Sequence, residues 1–420
     1  MKLRFLRSLM GPVLIAWFRP LGWDRIGGME ASLYHFLSRL ARVEIDPALG
    51  AEIRAAARAL ESENPRWEGV ADLAEAQGLG PLIHHHLRPL GVTPPVPVGR
   101  QLLGLYLRHR DANEIRLRAL DEIVAAMGAA GVPVLLLKGA ALARRVYPEP
   151  GLRPMGDMDL LVPGEALPLA TETLHRLGFR NLAAADPPGW QAEHRHAPAL
   201  FRGVEGLLVQ VELHTDLFAQ SGEAAPQPAD PWADPLAFRL PGAEEARSPS
   251  HEVMLLHLCW HLVNLRHDPA QVARPRLIWV TDILGYAQRF AEEIDWPGLR
   301  ARRPFVWSAL ALLGQLTPLP ESVRRHFPPP EAGRRPRGVG EGYRGWPACP
   351  LASPQRRRLD LYLRDTFWPP EWWLRLHYGL GPAGPLVPTR WLGHPGRILR
   401  GVGHKLARDY LNPIQKGKHP

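Results

Sequence analysis

The chain has 420 residues, 45% of them apolar and 22% charged, which excludes a disordered or fibrous polypeptide and makes about two or three folded domains the expectation. Its two cysteines, Cys259 and Cys349, exclude a disulfide framework and a thiolate metal cluster, and so fit a reducing cytoplasm. The formal charge of +9 is uneven: residues 321–420 carry 18 Lys and Arg against 7 Asp and Glu, and the rest is close to neutral.

Lys2, Arg4 and Arg7 precede an apolar run, Leu9–Phe18. The run is too short to span a bilayer, and Phe18-Arg19-Pro20 offers no small-residue cleavage site. Residues 1–27 are therefore expected to form an amphipathic docking segment, with peripheral membrane attachment as the minority reading and no integral span. Residues 28–125 read as helical. Gly50–Leu60 and Leu107–Leu117 place apolar residues three and four apart, with a break over Gly91–Gly99 at Pro94, Pro95 and Pro97.

Over residues 126–245 the pattern changes. Ala119–Ala130 reads as a helix closed by Gly131, Val132–Leu137 as a buried strand and Ala140–Tyr147 as a short helix. Asp157–Val162 is a strand, Glu165–Leu177 a helix capped by Gly178, and Leu207–His214 another strand. This alternation predicts an α+β fold, a small mixed-sheet core flanked by helical segments. A Pro- and acid-rich linker is expected over Ala224–Arg247. Residues 246–317 then read as helices at His251–Leu265, Leu277–Phe290 and Gly298–Gly314. Residues 318–420 read as a loosely structured basic extension with aromatic bursts at Phe367-Trp368 and Trp372-Trp373.

The chemistry concentrates in the 126–245 core. Lys138 is the single lysine between the two termini in a chain that otherwise uses arginine, which suggests a task for a compact ammonium. It ends a strand at Lys138-Gly139-Ala140, where glycine lets backbone approach a phosphate and the next helix offers its free N–H groups. Asp157 and Asp159 alternate along the next strand, so both face one way while Met158 and Leu160 point to the core. Two neighbouring carboxylates call for a shared cation. Hard Mg²⁺, or Mn²⁺ in its place, would be held with Glu212 as a third acid on a neighbouring strand. His214 shares the face of Glu212.

These residues resemble a known family. Leu137-Lys138-Gly139-Ala140-Ala141-Leu142, Tyr147-Pro148, Arg153-Pro154-Met155, Asp157-Met158-Asp159-Leu160-Leu161-Val162 and Val211-Glu212-Leu213-His214 are similar to an uncharacterised bacterial nucleotidyltransferase family of the DNA polymerase β-like superfamily. Trp67, Leu73-Ala74, Gly80-Pro81-Leu82, Glu252 to His261, Asp282 and Trp296 extend the resemblance to roughly residues 60–300. It implies a mixed-sheet nucleotidyltransferase core with an Asp-x-Asp pair, a third carboxylate and Mg²⁺-dependent transfer of a nucleoside monophosphate from an NTP. The acceptor, a small molecule, peptide or protein, is left open. Where many superfamily members carry Gly-Ser or Gly-Gly, this chain has Gly139-Ala140; either Lys138 takes over the missing hydroxyl's phosphate contact, or the nucleotide binds differently, or catalysis is weak.

Rival readings stand beside these. Lys138 reads as a phosphate ligand or as a buried ion-pair partner. Arg153 either orients a phosphate or pairs with Asp157 or Glu149, and Tyr147 either packs with a tethered hydroxyl or stacks on a base. His251, His257 and His261 read as core histidines rather than a zinc site, since no metalloprotease glutamate accompanies them. His194 and His196 lie in a loop before the third acid, from which they could reach substrate, and are not counted among the site residues. Arg356-Arg357-Arg358 would serve an anionic partner or a solvated loop. For the whole chain, the alternatives to a nucleotidyltransferase are a non-catalytic binding module of the same fold and an Asp-x-Asp glycosyltransferase.

Overall fold

The computed structural model describes residues 33–34, 36–62, 67, 69–182, 197–218, 229–241, 245–263, 276–327, 367, 374 and 386–399. The segment expected over 1–27, His194, His196, Arg356-Arg357-Arg358 and Trp372-Trp373 lie outside those residues.

Helix α1 (Pro47–Ser62) turns Leu49, Ile53, Ala57 and Leu60 into the core. Asp46 starts it, its Oδ1 accepting the Leu49 N–H at 2.9 Å. Helices α2 (Val70–Ala76) and α3 (Gly80–Leu87) lead to α4 (Val96–Ala129), which has 34 residues and runs about 50 Å. Pro97 sits in the first turn of α4, where its missing N–H costs nothing. Ala119–Ala130, expected as a separate helix, is the end of α4, and the break before α4 closes at Val96 rather than Gly99.

The central sheet is built from β1 (Leu135–Leu136), β2 (Asp157–Leu161), β3 (Arg180–Asn181), β4 (Leu200–Val204) and β5 (Leu207–His214), with α5 (Lys138–Arg145) and α6 (Leu167–Arg176) between strands. Spatial order is β1-β2-β5-β4-β3. Only β2 and β5 are parallel, so the sheet is mixed. Asp157 lies opposite Gln210 and Asp159 opposite Glu212. Met158, Leu160, Val209, Val211 and Leu213 are buried apolar residues of the opposite face. Glu205-Gly206 joins β4 to β5 with φ of +49° and +81°, the two-residue turn whose twist suits a tight hairpin.

Two features differ from the expected pattern. The segment read as linker contains a hairpin, β6 (Leu236–Arg239) and β7 (Glu245–Ser248), and β7 packs beside β1. The C-terminal helices are α7 (His251–Val263), α8 (Leu277–Arg289), α9 (Trp296–Arg302), α10 (Pro304–Leu316) and α11 (Glu321–Arg324). The helix expected over Gly298–Gly314 is thus two, divided at Arg303-Pro304, because proline cannot donate the helical hydrogen bond.

Buried apolar residues of the N-terminal helices, the sheet and the C-terminal helices form one contiguous cluster. Within it α8 is buried from Leu277 to Ala287 apart from Trp279, which is half-buried. No helix among the described residues is long and apolar enough to cross a membrane. Gly285 marks the closest approach on α8: a Cβ there would meet Val43 Cγ2 at 2.4 Å. Gly285→Ala should therefore destabilise the fold by about 1–3 kcal/mol through overpacking, measured by denaturant unfolding. An unchanged midpoint would show that Val43 has room to move.

Candidate active site

Asp159 is 3% exposed, so its charge needs donors inside the protein. Its Oδ1 accepts from Lys138 Nζ at 3.1 Å and from His214 Nε2 at 2.7 Å. An ionised carboxylate only accepts, so the imidazole donates through Nε2. Burial alone would raise the Asp159 pKa, but Lys138 and His214 together outweigh it and hold the carboxyl well below the usual range.

Asp157 shares the strand face of Asp159 and is half-buried. Burial first, and the Asp159 charge second, push its pKa up, with Lys138 offsetting part of the rise. One acid of the pair is thus firmly ionised and the other takes a proton more readily. Across the parallel register, Glu212 Oε1 accepts from Gln210 Nε2 at 2.9 Å, and Glu212 Oε2 lies 3.9 Å from His214 Nε2. One ligand atom each from Asp159, Glu212 and His214 lie within 4.8 Å of one another. The tight group is therefore two acids and a histidine, with Asp157 beside it rather than in it. With the His214 Nε2 engaged as a donor to Asp159, the carboxylate oxygens of Asp159 and Glu212 are the atoms that fit a hard divalent cation.

The Lys138 turn is shaped by packing. Lys138 has φ of +38°, a left-handed conformation that strains a residue with a side chain. No side chain caps α5. A Cβ on Gly139 would meet Arg153 Nη1 at 2.6 Å and Met155 Cγ at 2.9 Å. The glycine therefore makes room for Arg153 and Met155, a role the phosphate-approach reading did not include. Ala140 is fully buried and shows no side chain to solvent.

Arg153 pairs with neither Asp157 nor Glu149. Its Nη2 and Nε donate to Asp282 Oδ2 and Oδ1 at 2.6 and 3.3 Å, and its Nη1 donates to the Pro154 carbonyl at 3.0 Å. The Tyr147 hydroxyl donates to Asp282 Oδ1 at 2.7 Å, and its ring is buried, as the packing reading expected. Burial alone would lower the Arg153 pKa; Asp282 more than reverses this. Asn113 on α4 donates to the carbonyls of Pro150 and Arg153, fixing the loop into β2. Asp282 carried a signal of its own: a lone acid in the apolar run of α8 asks for a buried partner. Gln210, missed in the sequence, follows from the period of two that exposed Glu212.

The α7 histidines form no shared ligand group among the described residues. His251 Nδ1 lies 3.0 Å from the Tyr286 hydroxyl, and His261 packs edge-on to Trp279. His257 is buried with neither ring nitrogen bonded. Burial first, then the Lys138 charge, hold its pKa far below the usual value and keep it neutral.

The chain's residues 63–317 match the family described as "Uncharacterised nucleotidyltransferase". The chain belongs to that family. This member is accordingly a nucleotidyltransferase, and its family segment runs from just before α2 to the end of α10. No curated protein matches the sequence. Among solved structures, the antibiotic-resistance factor ANT(2'')-Ia is similar at 18% identity and a TM-score of 0.30, over 47% of this chain and 96% of that one. That score is too low for fold or acceptor to be read across to this nucleotidyltransferase.

Asp282→Ala should cost about 3–5 kcal/mol, because it leaves the buried Arg153 guanidinium without its carboxylate; thermal unfolding checks this, and an unchanged melting temperature would contradict it. Acid titration tests Asp159. Because folding lowers its pKa, its ionised form stabilises the protein above the ordinary carboxylate value of about 3.9. That contribution drains away as pH falls through the lower folded value. Asp159→Asn should accordingly flatten the acid limb of a stability-against-pH curve.

Proposed function

We propose that this nucleotidyltransferase moves a nucleoside monophosphate from an NTP to an acceptor hydroxyl or phosphate and releases pyrophosphate, with Mg²⁺, or Mn²⁺ in its place, as the cation. The observation that carries the reading is the meeting of Asp159, Glu212 and His214 within 4.8 Å, beside Asp157 and the uncapped start of α5. Asp159 would hold the cation together with Asp157, which stands beside the tight group, and Glu212 would be the third ligand or the base that accepts the acceptor's proton. When bound, the cation supplies positive charge to the phosphates around the reacting centre. The acceptor oxygen forms a bond to the α-phosphorus, the bond from that phosphorus to the bridging oxygen breaks, and pyrophosphate leaves with the electron pair.

Lys138 and the backbone N–H groups of Gly139 and Ala140 bind the β- and γ-phosphates. His214 orients Asp159 through its 2.7 Å hydrogen bond. Arg153, held by Asp282, supports the turn from beneath Gly139 rather than reaching out to a phosphate, and Tyr147 steadies Asp282. The acceptor is a small molecule, a peptide or a protein. The basic 318–420 extension offers an anionic partner its attraction.

The test is incubation of cell extract with the protein, Mg²⁺ and labelled NTPs, with mass spectrometry for an adduct one nucleoside monophosphate heavier. Asp159→Asn, close in shape but uncharged, should abolish the adduct while the protein stays folded. An adduct formed at the wild-type rate would remove Asp159 from the chemistry. Lys138→Ala should weaken NTP binding roughly ten- to a hundredfold, the worth of a charged contact, with Lys138→Arg recovering only part. Loss of melting temperature with unchanged NTP affinity would make Lys138 an ion-pair residue alone.

A further inference from the structure

Glu212 can share a cation with Asp159 only if its carboxylate is turned toward it, and a glutamate side chain has several torsions free to turn it elsewhere. One neighbour removes that freedom. Gln210 stands two residues before Glu212 on β5 and so on the same face of the sheet. In its row of the sheet Gln210 lies between Asp157 on β2 and Phe201 on β4. The phenyl ring offers the amide no oxygen to bond. Of the two acids beside it, the amide donates to Glu212, from Nε2 to Oε1 at 2.9 Å. An ionised carboxylate only accepts, so the amide nitrogen and not the amide oxygen faces it.

Glu212 thus stands between Gln210 and His214 along the strand with one oxygen toward each, Oε1 on the amide and Oε2 at 3.9 Å from His214 Nε2. This is the orientation in which its carboxylate joins Asp159 and His214 in the group within 4.8 Å. The residue type suits the task. A lysine in this row would bring a positive charge that competes with a cation, and another acid would add to the repulsion among carboxylates. An amide donates a hydrogen bond and leaves the charge of the group unchanged. Burial does not require the bond either. Gln210 and Glu212 are both half-buried, where water can serve an amide or a carboxylate nearly as well.

We propose that Gln210 is a positioning residue that holds the Glu212 carboxylate as a cation ligand beside Asp159, an inference that rests on the nucleotidyltransferase reading above. Gln210 acts through Glu212 and not on the cation itself. Of the two roles open to Glu212, ligand or base, the hydrogen bond serves the first.

Binding of Mn²⁺ to the full chain would be followed by the electron paramagnetic resonance of the free ion, with melting temperatures taken without metal. The proteins are wild type, Asp159→Asn, Glu212→Ala, Gln210→Met and the double variant Gln210→Met with Glu212→Ala. Methionine keeps the length of glutamine and cannot donate. The expected result is about a tenfold loss of Mn²⁺ affinity in Gln210→Met, the lower end of what a group orienting a ligand is worth. Glu212→Ala should lose more, and adding Gln210→Met to it should cost less than about a further twofold, since the residue through which Gln210 acts is gone. The melting temperature of Gln210→Met should stay near that of wild type. Equal Mn²⁺ affinity in Gln210→Met and wild type would overturn the inference. So would a loss of the same size in the double variant, because Gln210 would then act without Glu212. If Asp159→Asn weakens Mn²⁺ binding and Gln210→Met does not, the reading stands and Gln210 alone falls. If wild type binds no Mn²⁺, the cation site of the reading falls and Gln210 falls with it.

Discussion

A charge at 3% exposure has to be answered by opposite charge, and the centre of this protein is arranged around that demand at Asp159. Lys138 and His214 meet on the same carboxylate oxygen from two different elements, the start of α5 and the end of β5. An ammonium suits this place better than a guanidinium, since it is compact and can sit in a left-handed turn beside a buried acid. The outcome is an acid that stays ionised despite burial, which is the form a cation binds. Asp157, with no such donors, is tuned the other way.

The Asp282–Arg153–Tyr147 group extends this logic outward. Asp282 belongs to a helix buried along most of its length, and Arg153 carries its influence to the space beneath Gly139. The C-terminal helices contribute no residue to the group of cation ligands, yet they set the backbone from which Lys138 reaches Asp159. The apolar cluster is continuous across the same boundary. A defect in α8 therefore reaches the site through two or three contacts rather than through general loosening.

The parts visible in the sequence were those with strong local pattern. Asp157-Met158-Asp159 and Val209–His214 alternate polar with apolar residues, so the strands and the face shared by Glu212 and His214 were legible. The Lys138 turn was legible because glycine and an isolated lysine both stand out. Strands β3, β4, β6 and β7 were not, because they are short, and their pairing is decided by neighbours rather than by propensity. Arg153 shows the same limit at one residue: its partner, Asp282, is 129 positions away, and nearer acids compete for it on paper.

The two-residue turn at Glu205-Gly206 reaches further than its size suggests. Alternate residues of β5 face opposite sides, so the turn determines whether Gln210, Glu212 and His214 or Val209, Val211 and Leu213 stand beside Asp159. The hairpin in effect has a reading frame. One residue gained or lost between β4 and β5 would act like a frameshift, exchanging an acid and an imidazole for valine and leucine while leaving every residue of the strand itself unchanged. Insertions and deletions at the turn tip are therefore costly for this protein, and the positive φ of Glu205 and Gly206 narrows the residue types there as well.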